Sequence, residues 1–167
     1  QQQVHLAEVE VPDPRVGALA KLFDKKKQVR AHVLLKDLPL QLADQGGLAP
    51  GTLGELRTSD AVAMVLRAFL DEAVAHPLGE IDPLRDLSRL LDSMIFSDYE
   101  IAEKRLERLE KEGKKGDREH LVLAKIAARL EEGGGLGADL LSEEERQVVS
   151  GFQFLTAKPM ITITNTG

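Results

Sequence analysis

The stretch DAVAMVLRAF, Asp60 to Phe69, decides the fold. Its apolar run is nearly continuous, the pattern of a parallel strand covered on both faces. Strand-like segments lie on either side of it. Val4 to Val11 alternates, with Val4, Leu6, Val9 and Val11 apolar, and Pro12-Asp13-Pro14 ends it. Ala31 to Leu35 forms a second strand, whose C-terminal end delivers Lys36 and Asp37 to a Pro turn. Met160 to Thr164, after Lys158-Pro159, forms the last. Between the first two, Val16, Leu19, Ala20, Leu22 and Phe23 follow helical spacing, and Lys25-Lys26-Lys27 suits the helix C-terminus. Strands separated by helices predict an α/β fold, a mostly parallel sheet flanked by helices.

The middle of the chain follows a different period. From Leu84 to about Glu132 the pattern is helical, and Ile95, Tyr99, Ala102, Leu106 and Leu109 form a heptad seam. Glu103 and Glu107 are placed to face Lys or Arg one turn away, at about 0.2–0.5 kcal/mol per pair. Gly113 and Gly116 break the helix, and a second seam of Leu123, Ile126 and Leu130 runs back. The pattern predicts an inserted antiparallel helical hairpin, a coiled coil, over 84–139, within an α/β domain made of 1–83 and 140–167. Ser142 to Glu145 reads as a capping box that opens the next helix. Gln41 to Gly54, including GGLAPGTLGE, reads as a mobile loop with a short helix over Leu53 to Arg57.

The bulk properties narrow the function. The chain has 167 residues, 43% hydrophobic and 30% charged, enough for one domain with a core. Aromatics make up only 4%, so that core is aliphatic. A net charge of −6 argues against broad nonspecific nucleic-acid binding but leaves room for a local basic patch. The absence of cysteine excludes disulfides and thiolate metal sites, and fits a reducing, cytoplasmic location. No apolar run approaches the roughly 18 residues needed to cross a bilayer, so no membrane association is expected. The start carries no secretory signal pattern and opens inside a strand-like segment.

Few residues carry recognisable chemistry. His5, His32, His76 and His120 show no metal-ligand spacing. The hairpin carboxylates read as a solvated helix face. Asp37 ends an apolar strand, where such a residue can hold the water shell of Mg²⁺, although Asp before Pro is also an ordinary turn former. Asn165 follows a strand, and its amide offers a donor and an acceptor to a purine edge; Asn-x-Gly is equally a common turn. The phosphate-cradling motif G-x-x-x-x-G-K-[ST] does not occur.

Taken in order, these segments resemble the nucleotide-binding domain of the Obg-related YchF-type P-loop NTPases. The resemblance runs through VEVPDPRVGALAKLFDKKKQV, DLPLQ, SDAVAMVLRAF, HPLGEIDPLRDLSRLLDSMIFSDYEIAEKRLERLEK and LLSEEERQVVSGFQFLTAKPMITITN, nearly the whole chain. Val11-Pro12-Asp13-Pro14-Arg15 and Leu155-Thr156-Ala157-Lys158-Pro159 are its most specific stretches. It implies a P-loop NTPase-like fold, Mg²⁺ with ATP or GTP as cofactor and substrate, Asp37 near the metal, and Asn165 and Thr166 at the base. The family's phosphate cradle would precede Gln1, and its C-terminal RNA-associated domain and the carboxylate that selects the base would follow Gly167. At the family's Asp-x-x-Gly turn the chain reads Asp37-Leu38-Pro39-Leu40, so a glycine is replaced by Leu40. Gln41 stands where relatives outside this subgroup place a water-orienting glutamine.

Two functions follow. In the first, the chain belongs to an NTP-binding domain that hydrolyses NTP as a regulatory switch in a longer parent. In the second, it is a degenerate, non-hydrolysing module whose hairpin binds a protein or ribosomal partner, with the locally basic Lys111 to Arg118 near the hairpin tip.

Overall fold

The computed structural model describes residues 4–24, 27–39, 41–43, 47–71, 73–76, 78–137 and 139–167. Two compact units emerge, residues 1–40 and 41–167.

The first unit holds β1 (His5–Glu10), α1 (Pro14–Leu22) and β2 (His32–Asp37). Pro14 opens α1, its missing N–H being one of the donors a helix start leaves unpaired, and the Asp13 carboxylate accepts from Arg15 N at 2.9 Å. β1 and β2 pair antiparallel, from His5 opposite Asp37 to Glu10 opposite His32. Val11 N donates to Ala31 O at 2.8 Å and continues the ladder, so the α1 connection leaves and returns at one end. This corrects the expectation of a mostly parallel sheet: an intervening helix does not by itself carry the chain across to a parallel neighbour. Every residue of both strands is exposed.

The second unit contains α2 (Pro50–Arg57), β3 (Val62–Arg67), α3 (Pro83–Lys111), α4 (Arg118–Glu131), α5 (Glu143–Val149) and β4 (Met160–Asn165). Two short 3₁₀ turns, Ser150–Phe152 and Leu155–Ala157, lie between α5 and β4. The glycine-rich stretch expected to be a loop in fact starts α2 at Pro50, where the fixed φ of proline suits a first helical position. Residues 44–46 of that stretch lie outside the described residues.

β3 and β4 pair in parallel, from Val62 opposite Met160 to Arg67 opposite Asn165. The alternating burial of β3 corrects a second expectation. Val62, Met64 and Leu66 are buried while Ala63 and Val65 are exposed, so β3 is covered on one face only. Leu48, Met94 and Leu155 pack on that face, supported by Leu87, Leu90 and Leu91 of α3. β4 is exposed along all but its first residue.

α3 is the longest element. Asp82 caps it by accepting from Arg85 N at 3.0 Å, with Pro83 in the first turn. It ends in a Schellman turn: Lys114 N donates to Leu109 O at 2.9 Å and Gly113 N to Glu110 O at 3.1 Å. Gly113 has φ +73, a conformation a side chain would disfavour. α4 lies beside α3 in the opposite direction, fastened by the fork between Arg105 and Glu119 at 2.7 and 2.9 Å. Ala102, Leu109, Val122, Leu123, Ile126 and Leu130 are buried between them and α5, with Ile95, Tyr99 and Leu106 partly buried against the cluster. The full Ser142–Glu145 capping box is formed.

Two side-chain expectations on α3 differ from what is observed. Glu107 pairs with Lys111 at 3.6 Å as its spacing predicts, but Glu103 accepts a hydrogen bond from the Tyr99 hydroxyl at 3.2 Å. The carboxylates of this helix do not all form a solvated face: Asp86 and Asp98 are buried. No described helix is long and apolar enough to cross a membrane.

Candidate functional site

The C-terminal ends of the parallel strands β3 and β4 place several polar groups together, at the kind of edge where open α/β sheets bind ligands. In-register pairing sets Arg67 opposite Asn165, and Ala68 N donates to Asn165 O at 2.8 Å. The Asn165 side chain folds over its own turn, its Oδ1 accepting from Gly167 N at 3.2 Å. Such a turn fixes the amide at the strand end. Asn165 and Thr166 are both exposed.

Arg67 and Phe69, which the sequence reading passed over, complete the edge. The Arg67 guanidinium donates to Phe69 O at 3.0 Å, Asp71 O at 2.9 Å and Val74 O at 2.8 Å. It also sits 4.7 Å from the Phe69 ring centroid, a cation–π distance. Asp71 closes the loop by accepting from Ala73 N at 2.9 Å. The Phe69 side chain borders Gly167, where an added Cβ would come within 3.2 Å of Phe69 Cβ, and Gly167 has φ +100. The edge therefore presents an aromatic ring, a fixed amide and a hydroxyl around one backbone turn. An arginine ending a strand of otherwise apolar residues was the available signal for it.

Asp37 lies in the other unit. It is the last residue of β2, paired in register with His5, and exposed. A lone carboxylate suits Mg²⁺ only when phosphate oxygens supply further ligands, because Mg²⁺ keeps several waters and takes one or two protein carboxylates. Among the described residues no cluster of three or more His, Asp or Glu could hold a metal ion by itself. Leu40 falls outside the described residues. Gln41 is exposed, with its carbonyl accepting from Ala49 N at 2.9 Å. Of the histidines, His76 is the most engaged: its Nδ1 accepts from Leu78 N at 3.3 Å and its Nε2 lies 3.2 Å from the buried Asp86.

Arg57, Asp98 and Lys158 anchor the chain where it enters β4, at the opposite end of that strand from Asn165. Lys158 Nζ donates to Arg57 O at 3.0 Å and Ser59 O at 2.5 Å, tying the start of β4 to the end of α2. Asp98 accepts from Leu155 N at 3.0 Å, and from Thr156 N at 2.8 Å and Thr156 Oγ1 at 2.9 Å. Its place four residues from Met94 and from Ala102, both buried, marked it as facing inward.

No protein-family model matches the chain. It is 32% identical over 167 residues to Obg-like ATPase 1 of Oryza sativa subsp. indica, covering 95% of this chain and 42% of that protein. It is 30% identical over 164 residues to the ribosome-binding ATPase YchF of Haemophilus ducreyi, covering 94% and 45%. The solved structure of the Schizosaccharomyces pombe YchF GTPase superposes with a TM-score of 0.78 at 31% identity, covering 97% of this chain and 46% of that one. The chain thus spans less than half the length of these relatives. Sequence and structure together make it a homologue of the YchF-type, Obg-like ATPases over the part of their length that it shares with them.

Proposed function

We propose that the chain is the nucleotide-binding region of an Obg/YchF-type NTPase that binds ATP or GTP with Mg²⁺ and, in the full-length protein, hydrolyses it as a regulatory switch in the cytoplasm. The observation that carries this reading is the turn at the end of β4. There the Asn165 amide is held at the C-terminal edge of a parallel strand pair, beside Thr166 and the Phe69 ring. An amide can both donate to and accept from a purine edge, and an aromatic face can pack on the base. Asp37, exposed at the end of β2, is the residue proposed to face the Mg²⁺ shell. The relatives' names add ATPase and GTPase activity and, for YchF, ribosome binding. The ribosome, or another protein reached through the α3–α4 pair, is the proposed macromolecular partner.

Titration of fluorescently labelled ATP and GTP in the presence of Mg²⁺ tests the reading. Saturable binding, weakened by Asn165→Ala, is the expected result. No saturation at about millimolar nucleotide, an affinity of only some 4 kcal/mol, removes it.

A further inference from the structure

The α3–α4 pair pairs most of its carboxylates and leaves a few without an ion pair. Glu107, Glu110, Glu112, Glu119 and Glu132 each face a Lys or Arg. Asp92, Glu100, Glu103, Asp117 and Glu131 have no ion-pair partner among the described residues, and Asp92, Glu103 and Glu131 lie around one feature. It is a groove of about 400 Å³ lined by the half-buried Ile95 and Tyr99 and the buried Leu130, with the exposed Phe96, Asp92 and Glu131 at its edge. Glu103 joins it through the hydrogen bond from the Tyr99 hydroxyl. No Lys or Arg lines it. The Tyr99 phenol is pushed above its ordinary pKa by the hydrogen bond to Glu103, then by the charge of Glu103, by desolvation and, least, by the charge of Glu131. Phe96 stands 63% exposed at the opening, an aromatic side chain with no place in the core.

We propose that this groove docks a basic segment of a protein partner, taking an Arg or Lys side chain with its aliphatic stem on Ile95 and Leu130 and its cationic head between the Phe96 and Tyr99 rings and the rim carboxylates. The two halves of the groove match the two halves of such a side chain. A long cationic residue buries its methylenes on apolar surface and keeps its charge at the edge. The cation is drawn to an aromatic face, more strongly with carboxylates beside it. Leaving the carboxylates unpaired keeps the rim's charge for a partner and favours fast association. Nucleic acid is disfavoured here by the same charge. The proposal is independent of nucleotide binding, because the groove and the β3–β4 edge share no residue.

The test is NMR titration of the full chain with acetyl-Gly-Arg-Gly-Arg-Gly-amide, and with the same peptide carrying citrulline for arginine. Saturable shifts at Ile95, Phe96 and Tyr99 are expected, at least about fivefold weaker for citrulline, which keeps the shape and loses the charge. Combining Asp92→Asn with Glu131→Gln weakens binding about tenfold, whereas Glu100→Gln, exposed on α3 outside the groove, leaves it unchanged. Because the substituted side chains are exposed, the variants fold, which their amide spectra will show. Equal affinity for the citrulline peptide overturns the proposal, as does equal affinity of the double variant or shifts that map elsewhere. Absence of binding up to about 10 mM also overturns it. So does a concentration-dependent dimer that already covers Phe96, since the occupant is then a second copy of this chain.

Discussion

Asp98 Oδ1 lies 2.8 Å from Arg57 Nη1, and this buried ion pair links α2 to α3 at the point where the chain comes back towards β4. The carboxylate is fully enclosed, at 0% exposure, and accepts from Leu155 N, Thr156 N and Thr156 Oγ1. Arg57 further donates to Ser97 Oγ at 2.8 Å and to Gln153 O at 3.1 Å. Removing Asp98 takes the counter-charge from Arg57, whose side chain is only 16% exposed, and strands the Leu155 and Thr156 amides that the carboxylate accepts from. Asp98→Ala is expected to destabilise the protein by about 3–5 kcal/mol, far more than an exposed helix substitution such as Glu100→Gln, which should stay within about 0.5 kcal/mol. Urea unfolding of the two variants measures the difference, and equal midpoints would show that the network adds nothing to stability.

This pair also shows how far the sequence could be read. The long helices were legible because their signals are local: the heptad seam from Ile95, the break at Gly113 and the Ser142–Glu145 box. The Asn165 turn was legible for the same reason. Pairing sense was not, since β1 and β2 contact each other across more than twenty residues and no local feature distinguishes a return from a crossover. Asp98 was read as part of a charged face because residue type outweighed position. Its partners, Arg57 and the Leu155–Thr156 amides, lie some 40 and 57 residues away. Arg67 and Phe69 were missed similarly, because their value comes from Gly167 and a loop that only the folded chain brings near.

The phase of α4 gives a second prediction. Leu123 is 0% exposed in the core between α3, α4 and α5, while Leu121, two residues earlier, is 60% exposed. Leu123→Ala removes buried methyl groups and leaves a cavity, at a cost of about 2–5 kcal/mol; Leu121→Ala should cost under about 0.5 kcal/mol. Thermal and urea denaturation of the pair checks the assignment. Similar losses would mean that α4 is rotated about its axis.

Acid sensitivity is the third. The Lys114 ammonium, and then the Arg108 guanidinium, hold the Glu112 carboxyl at about 2, below its ordinary 4.5. Glu110 is lowered by Lys115, Glu119 by Arg105, and Glu145 by the Ser142 backbone amide and then Lys125. A carboxyl whose pKa falls on folding stabilises the protein above its unfolded value and loses that contribution as pH drops through the folded value. The urea midpoint should therefore fall as pH goes from 4.5 towards about 2. Because Glu110 and Glu112 are exposed, about 0.5 M NaCl should flatten the slope, and Glu112→Gln should remove part of it. A midpoint independent of pH over this range would contradict the ion pairs around the α3–α4 turn.

The last prediction separates recognition from stability at the β3–β4 edge. Asn165 is exposed and its side chain holds only its own turn, so Asn165→Ala should shift the urea midpoint little. If the amide reads a purine, the same change should weaken ATP and GTP by about tenfold or more, because a paired donor and acceptor are lost together. Phe69→Ala should weaken both nucleotides similarly, by removing the apolar face against Gly167. Gly167→Ala tests the position of that ring by another route. Its φ of +100 and the 3.2 Å approach to Phe69 Cβ force the turn or the ring to move, so affinity should fall although no group that contacts the base is removed. Affinity retained in all three variants would place the purine elsewhere on the molecule, while affinity lost together with the urea midpoint would identify these residues as part of the fold instead.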